Sequence, residues 1–310
     1  MKSNEQRQPL YLIAIILIML LVQTILVPGS ISVGQFFLIT RQASALGIIA
    51  LGQAAVILVG GIDLSVGSVV MITNVFCIAL MKGLNDHFLT GILFCLFLAV
   101  IIGLANALGV IVLHIAPFVM TLCTMTILEG ICYVYTQGAP TGSAAPIVKS
   151  LGTGYVGPVP VSTLIWLILS VLAWIILRCT TFGRKMLAVG GNSKASRLSG
   201  VRNSLVIAAA YLFSALMSVI AGIIMSGYLN IMSLTIGADY VNNSLAAVLI
   251  GGNAIEGGRG GVWGVVLGSF FMMFLMAILT MVGIGQVGKL IVQGIVIFAV
   301  VAMQSLMKKN

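Results

Sequence analysis

The sequence returns repeatedly to apolar runs of about twenty residues, the length one helix needs to cross a bilayer core. A chain built this way has few folds open to it in water. Only 7% of its residues are charged and 60% are hydrophobic, whereas a soluble domain carries about 25% charged residues. So little charge cannot solvate the surface of a 310-residue globule, and a cytosolic globular protein is excluded. The expected class is an all-α polytopic membrane protein. Roughly 200 residues lie in apolar runs, enough for about ten spans. That leaves too little chain for a soluble ATP-hydrolysing domain, and no G-x-x-x-x-G-K-[ST] phosphate loop is present.

The runs place helices at 10–27, 43–59, 65–81, 88–108, 114–135, 161–177, 205–225, 244–250, 262–282 and 287–306. Pro28 and Gly29 stop the first. No small-residue cleavage site follows it at the right distance, so it reads as a retained helix and not a signal peptide. The Gly/Pro/Ser-rich stretch 138–160 reads as an external loop, and 227–241 as an outer loop or partial helix. The chain is thus expected to be one transmembrane domain, 1–310, with a cytoplasmic loop at about 178–203.

Ten crossings put both termini on one side. Lys2, Arg7, Arg178, Arg184, Lys185, Lys194, Arg197, Arg202, Arg259, Lys308 and Lys309 then share that side, 11 in all. Arg41, Lys82, Lys149 and Lys289 make 4 on the other. The positive-inside rule makes the first side cytoplasmic, so the net charge of +9 reads as topology and not as nucleic-acid binding. Cys77, Cys95, Cys123, Cys132 and Cys179 form no C-x-x-C pair and have only 2 His to join them. All five read as small core residues.

Glycine supplies 36 of the residues, and glycine inside spanning helices lets backbones approach or a helix break. Two segments match in layout. AVILVGGIDLSVGS contains Gly60, Gly61, Asp63, Ser65 and Gly67; AVLIGGNAIEGGRGGVWG contains Gly251, Gly252 and Glu256. They are read either as halves of an internal repeat, a common plan in transporters, or as two unrelated helix breaks.

Asp63 sits in long apolar sequence, where a carboxylate costs about 2.5–3.5 kcal/mol at the bilayer centre. Three readings stand: a structural cap on the following helix, a lining of the transport path, or a proton relay. Ser65 is positioned to cap the restarted helix. Glu129 is the other acid in a spanning run, with Asn106, Thr121, Thr124 and Thr126 as further polar residues in apolar context. Such groups pack against other helices or line a pore.

The stretch 178–203 holds six basic residues and no acid. Asn192 suits an N-cap, 193–199 gives about two turns and Gly200 suits the C-terminal cap. A helix that short is unstable alone and needs bracing by the bundle or a partner. In a transporter without its own motor, it is a natural docking knob.

Three blocks then carry a family resemblance. They are ALGIIALGQAAVILVGGIDLSVGSVV (45–70), TTFGRKMLAVGGNSKASRLSGV (180–201) and GGNAIEGGRGGVWGVVLG (251–268). In order and spacing the chain resembles the permease subunits of bacterial ABC importers for monosaccharides, the ribose/galactose/xylose type. It departs in having Glu129 where that family usually shows a basic residue, Asn106-Ala107 for Asn-Gly, and Ser196 for a common Ala. The last two look neutral.

The resemblance implies a bacterial inner-membrane subunit without catalysis, with helices broken at Gly-rich motifs and both termini cytoplasmic. A second permease chain, identical or not, would complete the pathway. ATP-binding subunits would hold the ATP, this chain carrying no cofactor, and an extracytoplasmic sugar-binding protein would deliver the solute. The coupling residues would be Gly183, Arg184, Gly191, Asn192, Ala195, Arg197 and Gly200. Rival readings are an ion-gradient-driven secondary transporter or channel and, less well, a membrane enzyme; for the last no Ser/His/Asp or metal-ligand cluster is visible.

Overall fold

The computed structural model describes residues 2–30 and 32–309, with side chains from 11 to 304 apart from Ile31. Met1 and Asn310 lie outside the described residues, as do the side chains of Lys2, Arg7, Lys308 and Lys309. Among the described residues the fold is all-α apart from one small hairpin. Its helices are α1 (Lys2–Leu26), α2 (Val33–Leu58), α3 (Val66–Met81), α4 (Phe88–Ile111), α5 (Pro117–Thr136), α6 (Pro146–Thr153), α7 (Val161–Cys179), α8 (Thr181–Gly191), α9 (Ser193–Leu198), α10 (Asn203–Leu229), α11 (Ala238–Ile250), α12 (Val262–Met281) and α13 (Gln286–Lys309). Between α6 and α7, β1 (Tyr155–Val156) pairs antiparallel with β2 (Val159–Pro160).

Among the described residues seven helices are long and apolar enough to cross a membrane, and Tyr11–Leu26 and Val66–Met81 are shorter apolar helices. At 13 residues α11 rises only about 20 Å, short of a bilayer core of about 30 Å. By length alone, neither α3 nor α11 spans a bilayer core by itself.

Helix α2 has side chains buried almost continuously from Ile39 to Leu58. It packs along α10, and Gly52 permits this: a Cβ there would stand 2.8 Å from the Ser214 Cα. Without a hydrophobic drive between helices in lipid, such backbone proximity supplies the packing. Around this pair, α4, α5, α7 and α13 turn broad apolar faces outward, as lipid-facing helices do.

Several expected boundaries move, each for a local reason. Helix α2 begins at Val33, ten residues before the expected start, because Ser32 caps it by accepting from Gln35 N at 3.0 Å. Arg41, expected outside the membrane run, is therefore inside the helix. Its guanidinium donates to the Thr153 carbonyl at 3.2 Å and lies 4.3 Å over the Tyr155 ring. The expected loop 138–160 contains α6 and the hairpin, started by Pro146 at the first helical turn. In 227–241, α10 runs on to Leu229 and ends at left-handed Asn230, and α11 starts at Ala238 instead of 244. Of the cysteines, Cys77, Cys95 and Cys132 are buried, but Cys123 and Cys179 are exposed on outward faces and are not core residues.

Candidate functional site

The break between α2 and α3 holds a polar network. Gly60 (φ +85°) ends α2, and Gly60 N and Gly61 N bond back to the Ile57 and Val56 carbonyls. The chain then runs without helix to Ser65. Asp63, 2% exposed, accepts from Ser65 N at 2.9 Å and Ser65 Oγ at 2.5 Å, and from Ser214 Oγ of α10 at 2.7 Å. Asn106 of α4 donates to Ser65 Oγ at 3.0 Å and accepts from Thr124 Oγ1 of α5 at 2.6 Å. Thr121 Oγ1 accepts from Leu64 N at 3.1 Å, and its single proton is shared between the Ile62 carbonyl at 3.2 Å and the Pro117 carbonyl of α5 at 3.0 Å. Side chains from three further helices, α4, α5 and α10, thus meet on the unwound turn between α2 and α3, and its exposed backbone groups find side-chain partners, as buried backbone must.

This arrangement alters two expectations. Ser65 stands at the N-cap position of α3 but makes no side-chain cap bond; its hydroxyl is spent on Asp63. Ser214, 151 residues from Asp63, was not among the expected partners. Glu129 stays apart from the network, half-buried on α5, and Thr126 is exposed and bonded to its own helix at Leu122. Gly67 lies against Gly237, where a Cβ would stand 2.5 Å from the carbonyl oxygen, so the starts of α3 and α11 touch.

The second Gly-Gly segment ends its helix in the same way. Gly252 (φ +83°) donates to Leu249 O and Asn253 N to Val248 O, the same spacings as Gly60 to Ile57 and Gly61 to Val56. The equivalence is therefore Gly60 with Gly252, one residue out of register with the written Gly-Gly pairs. Gly251 packs on Gly264, at the start of α12, where a Cβ would stand 2.5 Å from backbone.

All three motif blocks converge on a junction of bare backbone. Gly258 N donates to the Leu58 carbonyl at 3.0 Å. A Cβ on Gly190 would overlap that same carbonyl and the Gly258 nitrogen, and one on Gly258 would overlap Gly191. A Cβ on Gly257 would stand 2.9 Å from Gly60 N. Gly257 and Gly258 also hold φ of +89° and +72°, which side chains rarely adopt. The end of α2, the end of α8 and the loop before α12 are in contact because none of them carries a side chain there. Gly190 was not among the expected site residues, although an apolar residue followed by Gly-Gly occurs at 59–61, 189–191 and 250–252.

From this junction the basic loop projects outward. Thr180 caps α8 by accepting from Gly183 N at 3.3 Å, and Gly183 fits closely over the Leu177 backbone. Asn192 closes α8 and caps α9, its Oδ1 accepting from Lys194 N at 3.1 Å and Ala195 N at 3.0 Å. Gly200 (φ +81°) ends α9, with Val201 N bonded to the Ser196 carbonyl. Arg184, Lys185, Lys194, Ala195 and Arg197 are exposed, and Leu198 is 91% exposed. Ser196, expected to be neutral beside the family's Ala, has hydrogen-bond partners here. It is the buried residue of α9, 3.0 Å from Asn203 Oδ1, while Asn203 Nδ2 donates to the Ser193 carbonyl at 2.8 Å. That pair braces the short helix against the start of α10.

A model of the branched-chain amino acid transport system / permease component family matches residues 35–301. The chain is 36% identical over 301 residues to the ribose import permease protein RbsC of Haemophilus influenzae, covering 96% of this chain and 92% of that one. It is 33% identical over 294 residues to the Bacillus subtilis protein of the same name, covering 92% and 88%. The galactose/methyl galactoside import permease protein MglC of H. influenzae is 29% identical over 297 residues, covering 90% and 88%. No solved structure matches.

Proposed function

The chain belongs to the branched-chain amino acid transport system / permease component family, and from that premise we propose that it forms the translocation pathway of an ATP-driven importer for a monosaccharide. It is a multi-pass membrane subunit of a transporter and not an enzyme. In this reading it works in a bacterial inner membrane with both termini cytoplasmic, beside a second permease chain. ATP-binding subunits bind and hydrolyse the ATP, and an extracytoplasmic protein delivers the sugar.

The observation that best supports this reading is the glycine junction. An exposed, basic, doubly capped helix is braced at Ser196 and Asn203. The preceding helix, α8, ends in backbone contact with Leu58, beside the broken turn at Gly60 and the loop at Gly257–Gly258. We assign α8 and α9 to docking on the ATP-binding subunit, with Arg184, Arg197 and Leu198 as the gripping side chains. Guanidinium can hold a carboxylate in two places, and Leu198 offers an apolar anchor. Movement of α9 reaches the two helix breaks through rigid contacts, with no flexible side chain between to absorb it.

The test is D-ribose or D-galactose uptake by proteoliposomes holding this chain, its ATP-binding subunit and its binding protein. Uptake should require internal ATP and persist when a protonophore collapses the proton gradient. Uptake that ignores ATP and stops with the protonophore would assign the chain to secondary transport instead.

A further inference from the structure

The polar network at Asp63 pairs most of its donors and acceptors with one another, leaving the buried Tyr211 hydroxyl beside Gly61 without a partner. Another part of the molecule gathers more such atoms. At the Arg41 end of α2, away from the glycine junction at Leu58, a cavity of about 360 Å³ lies between α2, α7, α10, α11, α12 and α13. That volume is in the range of small-molecule sites, about 300–1,000 Å³. Its lining includes Asp239 and Gln286, both exposed, with Gln286 donating to Asp239 at 3.2 Å.

Three of its lining side chains are deeply buried yet lack a hydrogen-bond partner on the protein. They are Ser162 Oγ, Asn243 Oδ1 and Gln293 Nε2, on residues 1%, 7% and 4% exposed. Arg41 Nε, also in the lining, is a fourth such atom. A buried polar atom without a partner destabilises the fold that contains it. Four around one cavity mark a place where stability is given up for something else.

We infer that this cavity is a binding site for a neutral polyhydroxylated solute, held within a single chain and reached from the end opposite α8 and α9. The chemistry follows from the set of orphan atoms. Asn243 Oδ1 can only accept, Gln293 Nε2 and Arg41 Nε can only donate, and Ser162 can do either. A ligand that satisfies all four must both donate and accept. Adjacent hydroxyl groups do both; a carboxylate or phosphate only accepts and would leave Asn243 unpaired. The inference rests on the importer reading for its transport role, but it locates the solute away from the Asp63 turn.

The test uses the full importer in proteoliposomes with D-ribose and D-galactose as probes, alongside equilibrium binding of both sugars to the purified chain in nanodiscs. Asn243→Leu and Gln293→Leu should each lower uptake at least tenfold. Both should leave the melting temperature unchanged or higher, because each removes an unpaired buried polar atom. Ser162→Ala, the smallest change, should raise the half-saturating sugar concentration severalfold, which keeps the question open to test if a leucine variant folds poorly. Uptake within twofold of wild type in all three variants would overturn the site. So would a wild-type chain that binds neither sugar. Sugar binding by the wild-type chain without ATP-driven uptake would instead count against the importer reading and leave the cavity standing.

Discussion

Asp63 shows what a single residue can and cannot announce. Its acid in a long apolar context, beside Gly60-Gly61, marks a helix break on sequence alone. Its partners were another matter, because Ser214 is far away in sequence and lies on a helix whose serines look alike. The geometry favours a structural role, with three donors converging on one carboxylate. Asp63→Asn keeps one acceptor oxygen, and Ser214 Oγ can turn to accept from the new amide. Asp63→Leu strands Ser65 N and two hydroxyls, at a cost on the order of 3 kcal/mol. Thermal denaturation of the purified chain should therefore rank wild type, Asn, then Leu, with uptake following the same order. Equal loss of uptake in both variants, with the Asn protein as stable as wild type, would show that the charge itself is used. Ser196 teaches the reverse lesson. Beside a family that commonly has Ala it reads as neutral, yet together with Ser193 it ties α9 to Asn203. Asn203→Ala should loosen α9 and raise the amide exchange of 193–198 at least tenfold, as hydrogen-exchange mass spectrometry would report.

At the scale of elements, the readable features were those encoded locally. Asn192 and Gly200 bracket α9 as expected, because a capping side chain and a left-handed glycine act on their immediate neighbours. Asn192→Ala should cost about 1 kcal/mol of local helix stability, seen as faster exchange at Lys194 and Ala195, whose N–H groups it holds. Gly200→Val should unravel the end of α9, since the space around Gly200 is open but its φ is not one a β-branched residue adopts. The elements missed were polar or short. The first turns of α2 carry Gln35, Arg41 and Gln42, which broke the apolar run, although in the fold Arg41 is held by α6 and the hairpin. Helix α6 depends on packing against α10 at Gly152 and Gly227, a contact no local pattern reveals. The correspondence of Gly60 with Gly252 was hidden for a related reason. The glycine that turns left-handed is the first of its pair in one segment and the second in the other.

Over the whole molecule, the class was plain from charge and length, whereas the assembly of the site was not. Three glycine blocks spread from residue 45 to 268 meet through atoms that have no side chains, so no pairing of chemical types foretold it. If the basic loop docks on an ATP-binding subunit, replacing both Arg184 and Arg197 with Gln should leave membrane insertion intact. The double variant should co-purify with that subunit at least fivefold less well. Charges that serve topology alone would leave co-purification unchanged. The most direct measurement of the central claim, that the glycine junction carries motion from α8 and α9 to the broken helices, is the number of sugar molecules taken up per ATP hydrolysed by proteoliposomes holding the Gly190→Ala importer. A Cβ at that position must push apart the Leu58 carbonyl and Gly258. The account predicts that hydrolysis continues while the ratio falls at least fivefold below wild type; a ratio equal to wild type, in a variant that assembles normally, would contradict it.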